Sequence, residues 1–118
     1  MELKLIVIRT PDPQQLANFY TQLGFNFDYH KHGNSLYHYS TLINKTVLEI
    51  YPLTKNQTQA DSTLRLGFEI DNFYDVLQQL SQQSIKIIAE PIQTEFGTIA
   101  IIQDSDGRKI ELYKKEFD

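Results

Sequence analysis

TIAIIQDSDGRKIELY, residues 98–113, decides how the rest of the chain reads. Thr98 to Gln103 is a β-branched, apolar run, and Asp104-Ser105-Asp106-Gly107 has turn chemistry. Lys109 to Tyr113 then alternates polar and apolar residues, so the segment reads as strand, turn and returning strand. In the returning strand Ile110 and Leu112 face one way, while Lys109, Glu111 and Tyr113 face the other. An apolar row backed by a charged and aromatic one belongs to a sheet that buries one face and keeps the other available.

Upstream of this hairpin, Ile85 to Ile88 reads as another strand. Phe73, Val76, Leu77 and Leu80 mark one side of a helix that Asp71 or Asn72 caps, and Leu64 to Ile70 is the strand before it. Residues 64–118 therefore spell βαβββ. The same order opens the chain. Leu3 to Arg9 is a strand, and Asp12, Pro13 and Gln15 are an N-cap, a first helical residue and a capping-box partner. Leu16, Phe19, Tyr20 and Leu23 share a helical face, which Gly24 ends in a left-handed conformation with Phe25 packing back. Strands at Phe25 to His32, Leu36 to Leu42 and Thr46 to Tyr51 follow, turned by Gly33-Asn34-Ser35 and by Asn44-Lys45. Residues 52–63 are polar, with Leu53 and Ala60 the only aliphatics, and read as a linker. The fold class is α+β: one domain, 1–118, of module one (1–51), linker (52–63) and module two (64–118). The repeat lies in the order of elements, and two such modules side by side share a core and enclose a cleft under a curved mixed sheet.

The composition limits the partners. The 118 residues carry a net charge of −4 with a pI near 5.3 and no basic stripe, which argues against a nucleic-acid partner. There is no cysteine, so disulfides and thiolate metal sites are excluded. The apolar run Leu5-Ile6-Val7-Ile8 is far too short for a bilayer span or a signal-peptide core. A cytoplasmic protein with no membrane partner is the expectation.

Val7-Ile8-Arg9 leading to Asp12, then Phe19-Tyr20 and Leu23-Gly24-Phe25, carry a family resemblance at the front of the chain. Asp104-Ser105-Asp106-Gly107 followed by Ile110-Glu111-Leu112 carries it at the back. With these motifs, in this order and over almost its whole length, the chain resembles the vicinal oxygen chelate superfamily. That superfamily includes glyoxalase I, bleomycin-resistance proteins, fosfomycin-resistance enzymes and extradiol dioxygenases. The resemblance implies a glyoxalase-like paired fold. It also implies that metal ligands, where the family has them, come from the first and fourth strands of each module. Those positions fall at Leu5 and Glu49 in module one and at Arg65 and Glu111 in module two. The offsets between modules agree, with 60 residues from Leu5 to Arg65 and 62 from Glu49 to Glu111.

Both carboxylates are present, and an aliphatic and a guanidinium stand where the family places imidazoles. Leu5 has no donor, and Arg65 stays protonated and repels a dication. The expectation is therefore no metal and no cofactor. If Glu49, Arg65 and Glu111 converge, two readings stay open: a structural network in which Arg65 relieves the repulsion of two glutamates, or a site offering a forked donor to a ligand. Strand alternation sets Leu5, Val7 and Arg9, then Val47, Glu49 and Tyr51, then Arg65, Gly67 and Glu69, then Lys109, Glu111 and Tyr113, on cleft-facing rows. Leu5, Val7, Glu49, Tyr51, Arg65, Glu111 and Tyr113 are the candidate ligand-binding residues.

His30 and His32 share a strand face, and His38 lies opposite His30 if the turn has three residues. A metal site on that hairpin is weighed against histidines that are simply exposed or hydrogen-bonded beside a turn, and the latter is preferred. Tyr29, Tyr37 and Tyr39 form either an aromatic wall for a planar ligand or ordinary cross-strand pairs. No nucleophile–base pair and no phosphate loop is visible. The function expected from residues and resemblance together is metal-independent binding of a small organic ligand, as in the bleomycin-resistance-type members. The alternative is a glyoxalase- or dioxygenase-like lyase or isomerase with Glu49 or Glu111 as base. A non-catalytic interaction module with a closed cleft is a third possibility. The resemblance also allows a homodimer.

Overall fold

The first unit, residues 1–21 with 25–61, is built on a sheet in which the last strand made is an inner one. The coordinates are a computed structural model describing residues 1–116, and a second unit comprises 22–24 with the chain from 62 onward. In the first unit β1 (Leu5–Thr10) leads to α1 (Pro13–Thr21), and β2 (Asp28–His30), β3 (His38–Ile43) and β4 (Thr46–Pro52) follow. The sheet order is β1-β4-β3-β2, with β1 parallel to β4 and the other pairs antiparallel. Ile8, Leu48 and Ile50 point to the side of α1 and are buried with its Leu16, Ala17, Phe19 and Tyr20. Each large side chain so buried stabilises the unit by about 1.5–3 kcal/mol.

Asp12 starts α1 as its residue type suggests, its Oδ1 accepting from the Gln15 N–H at 3.1 Å. The reciprocal half of the expected capping box is replaced by a local bond, the Asp12 N–H donating to Thr10 Oγ1 at 3.4 Å. Gly24 has φ 114°, as the helix end requires. The strand expected over 25–32 is only three residues long, Asp28–His30. Phe25 and Phe27 precede it and are held by rings: Tyr20 to Phe25 at 5.7 Å, Phe25 to Phe27 at 6.2 Å and Phe27 to Tyr39 at 6.4 Å. The hairpin register has His30 directly opposite His38, and pairing stops there, so 31–37 is a loop turning through Gly33 at φ 53°.

The second unit repeats the order with β5 (Leu66–Ile70), α2 (Phe73–Ser81), β6 (Ile87–Thr94), β7 (Gly97–Gln103) and β8 (Lys109–Lys114). Its sheet runs β5-β8-β7-β6, again with one parallel pair, β5 with β8. Two features depart from the sequence reading. Asn72 precedes α2 in a left-handed conformation, φ 54°, with no side-chain cap bond, and Asp71 pairs with Lys115 instead. The strand expected to end at Ile88 continues through Pro91 to Thr94, and its register with β7 slips between Ile87 and Ala89 and again before Ile92. Proline lacks an N–H, and an irregular stretch of ladder is where a strand tolerates it.

The turn at 104–107 is a closed polar lock. Asp104 Oδ1 accepts from the N–H of Asp106 and of Arg108, both at 2.9 Å. The Arg108 side chain is 1 % exposed, and its Nη1 donates to Asp104 Oδ2 at 3.1 Å and Asp106 Oδ2 at 2.9 Å. Burial alone would lower the Arg108 pKa. The hydrogen bonds to Asp106 and Asp104 outweigh that and raise it, so the guanidinium is held charged. Among the described residues no helix is long and apolar enough to cross a membrane.

Candidate functional site

Each sheet turns one face to its own helix and leaves the other uncovered by it. In the first unit the helix-free face carries Leu5, Val7 and Arg9 from β1, Val47, Glu49 and Tyr51 from β4, and His38 and Ser40 from β3. Leu5 and Val7, on the edge strand, are 52 % and 41 % exposed. Glu49 has Val7 as its cross-strand neighbour on one side and Ser40 on the other.

Glu49 finds its partner two residues along β3 from Ser40. Its Oε2 lies 3.1 Å from His38 Nε2, with the histidine side chain fully buried and the glutamate 14 % exposed. The other imidazole nitrogen, Nδ1, lies 3.0 Å from the Leu36 carbonyl oxygen. A carbonyl only accepts, so Nδ1 carries a proton. The Tyr51 ring stacks on His38 at 4.2 Å and 9°, and its hydroxyl is 3.5 Å from Nε2. Arg9 lies over the Tyr51 ring at 4.9 Å and donates to the Pro52 carbonyl at 3.0 Å. Arg9, Tyr51, His38 and His30 thus form a row across the sheet.

His30, His32 and His38 come together. One ring nitrogen of each lies within 4.8 Å of the others, and His30 Nε2 and His32 Nε2 are 3.1 Å apart. The sequence reading preferred separate histidines beside a turn. The shared face of His30 and His32 and the placing of His38 opposite His30 across the turn are the sequence signal for the cluster, although the loop is longer than three residues and His32 lies beyond the strand. What the sequence did not give is the Leu36 carbonyl that orients His38 or the approach of Glu49.

The tyrosines lie elsewhere. Tyr29 and Tyr37 stack at 5.2 Å and Tyr29 and Tyr39 meet at 4.6 Å, but strand alternation turns Tyr29 and Tyr39 to the side of α1, away from His30 and His38. Burial raises the Tyr39 pKa, with the Tyr29 and Asp12 charges adding to it, so the phenol stays neutral through the physiological range.

In the second unit the helix-free face carries Gly67, Glu69, Glu111 and Tyr113, with Gly67 opposite Glu111. Arg65 stands just before β5, and its Nη2 is 3.6 Å from Glu111 Oε1. The two side chains are 49 % and 33 % exposed, so this pair adds about 0–1 kcal/mol and leaves the guanidinium accessible. Gly67 has a steric role. A Cβ there would meet Tyr113 Cε1 at 2.9 Å, so the absent side chain is what lets the tyrosine ring lie over β5.

The strand positions weighed for a metal do not suit one. In the first unit the pair is Leu5, which has no donor, and Glu49, a single carboxylate. In the second it is a carboxylate whose neighbour is a permanent cation.

A model of the Glyoxalase/Bleomycin resistance protein/Dioxygenase superfamily matches residues 2–112. Among curated proteins none matches the chain. Solved structures do. TnmS3, an antibiotic binding protein from Streptomyces sp. CB03234, is 20 % identical with a TM-score of 0.76, covering 98 % of this chain and 97 % of its own. The oxidase ChaP-H2 is 16 % identical with a TM-score of 0.76, at 98 % and 94 % coverage. The integron cassette protein VCH_CASS1 of V. cholerae is 20 % identical with a TM-score of 0.73, at 98 % and 96 %. At such identities likeness speaks for the fold, and the family model adds the lineage. With its two βαβββ units, this chain belongs to the Glyoxalase/Bleomycin resistance protein/Dioxygenase superfamily.

Proposed function

We propose that the chain binds a small organic molecule on the helix-free face of the second unit's sheet, with no metal at the Leu5, Glu49, Arg65 and Glu111 positions. Arg65, Glu111 and Tyr113 are its contacts, and Leu5, Val7, Glu49 and Tyr51 line the helix-free face of the first unit, taken by itself. The observation that carries the reading is the half-exposed Arg65 guanidinium beside Glu111, on a sheet face where Gly67 leaves room for the Tyr113 ring. A forked donor next to an aromatic platform fits a planar molecule bearing a carboxylate or carbonyl. The antibiotic-binding TnmS3 shares the fold and makes the ligand class reasonable. A thermal-shift series with aromatic carboxylates tests it, since a ligand that prefers the native state raises Tm. Arg65→Ala should weaken binding about 10- to 100-fold, the loss of one charge-assisted hydrogen bond. Equal affinity in the variant would remove Arg65 from the site.

A further inference from the structure

We propose that His30, His32 and His38 bind one divalent first-row transition metal ion of the zinc type. The site lies wholly within the first unit and does not rest on the ligand-binding reading above.

Four observations point there. The first is spacing. In a tetrahedral zinc site with bonds of about 2.0–2.1 Å, neighbouring donors sit about 3.3 Å apart. His30 Nε2 and His32 Nε2 are separated by 3.1 Å. The three imidazoles offer nitrogens within 4.8 Å of one another, a span one ion bridges with small side-chain rotations.

The second is the direction of the proton on His38. Its Nδ1–H is committed to the Leu36 carbonyl at 3.0 Å, so in the neutral ring Nε2 presents a lone pair to the Glu49 carboxylate. Two acceptors face each other in a site where the histidine is fully buried, and an ion taking the Nε2 lone pair resolves the conflict. A second proton on the imidazole is the rival resolution.

The third is support behind the donors. A metal-binding histidine characteristically gives its other N–H to a carbonyl or carboxylate, which fixes ring and tautomer, and Leu36 does this for His38. Stacking on Tyr51 sets the ring plane. Arg9, the nearby cation on the same row, is engaged with the Tyr51 ring and the Pro52 carbonyl. The fourth is that His32, outside the strand, is held where it is needed. Its N–H donates to Ser35 Oγ at 2.8 Å and its carbonyl accepts from the Ser35 N–H at 2.8 Å.

Three imidazoles favour zinc, nickel or copper over magnesium or calcium, which prefer all-oxygen shells. His38 is buried, His30 half-buried and His32 exposed, so the site opens toward solvent on the His32 side. A ligand oxygen or water would enter there.

The test is isothermal titration of the full chain, without a histidine tag and freed of metal by a chelator, with zinc chloride alone. The expected result is one zinc per chain with micromolar or tighter Kd. His30→Ala and His32→Ala should each weaken it at least about 10-fold, and the double variant at least about 100-fold. Both residues are accessible enough for the variants to keep the wild-type Tm without zinc, which circular dichroism checks. His38→Ala is avoided because it empties a core position. No stoichiometric zinc uptake overturns the proposal and favours the imidazolium. Undiminished affinity in the folded double variant overturns it as well, placing the ion elsewhere. Because no organic ligand is present, either result leaves the Arg65 reading to its own experiment.

Discussion

Arg108 shows how a single residue can make a motif structural. Its guanidinium is enclosed and bonded to Asp104 and Asp106, and Asp104 also accepts two backbone N–H groups of the same turn. Removing the cation leaves two carboxylates, one of them fully buried, without their partner. Arg108→Ala should lower stability by about 3–5 kcal/mol in urea denaturation, and a loss under about 1 kcal/mol would refute the lock. Gly67 makes the opposite case, since the atom in its way is the far edge of a side chain that can swing. Gly67→Ala should therefore change stability by less than about 1 kcal/mol while weakening ligand binding through the displaced Tyr113. Thermal melts with and without ligand separate the two effects. At this scale the sequence was legible where chemistry is local. The 104–107 turn and the Asp12 cap follow from residue type, and the Arg65–Glu111 proximity from the positions the family resemblance implies. The His38–Glu49 contact was not legible, because a diagonal neighbour across β3 and β4 depends on register and on a backbone carbonyl that aims the ring.

At the scale of elements, the two helices begin by different means. Asp12 caps α1 with its side chain, so Asp12→Ala should cost about 1 kcal/mol. Asn72 makes no cap bond and sits in a left-handed conformation, so glycine suits the position better than alanine does. Asn72→Gly should match or exceed wild-type stability by up to about 1 kcal/mol, and Asn72→Ala should fall below it. If Asn72→Gly loses about 1 kcal/mol instead, the side chain is acting as a cap. Composition alone hides this distinction, because Asn serves both roles. The extent of β6 was hidden for a related reason. Pro91 ordinarily ends a strand, and only the register slips around it show how the ladder passes through.

For the molecule as a whole, the order βαβββ, linker, βαβββ was readable because hydrophobic period and turn residues recur in both halves. Nothing in the letters says how far each strand pairs. Residues 53–65 join the two sheets without strand or helix, and Lys55 among them is exposed. Limited trypsin digestion should cut first after Lys55, giving fragments 1–55 and 56–118, and a first cut within either sheet would contradict this division.

The helix-free face of the second unit is the heart of the functional reading, and a backbone amide map by NMR addresses it most directly. A naphthalene carboxylate titrated into the labelled chain should move the signals of Arg65, Gly67, Glu111 and Tyr113 and lose that effect in Arg65→Ala. Shifts confined to α1 or α2, or none at millimolar ligand, would contradict binding on that face.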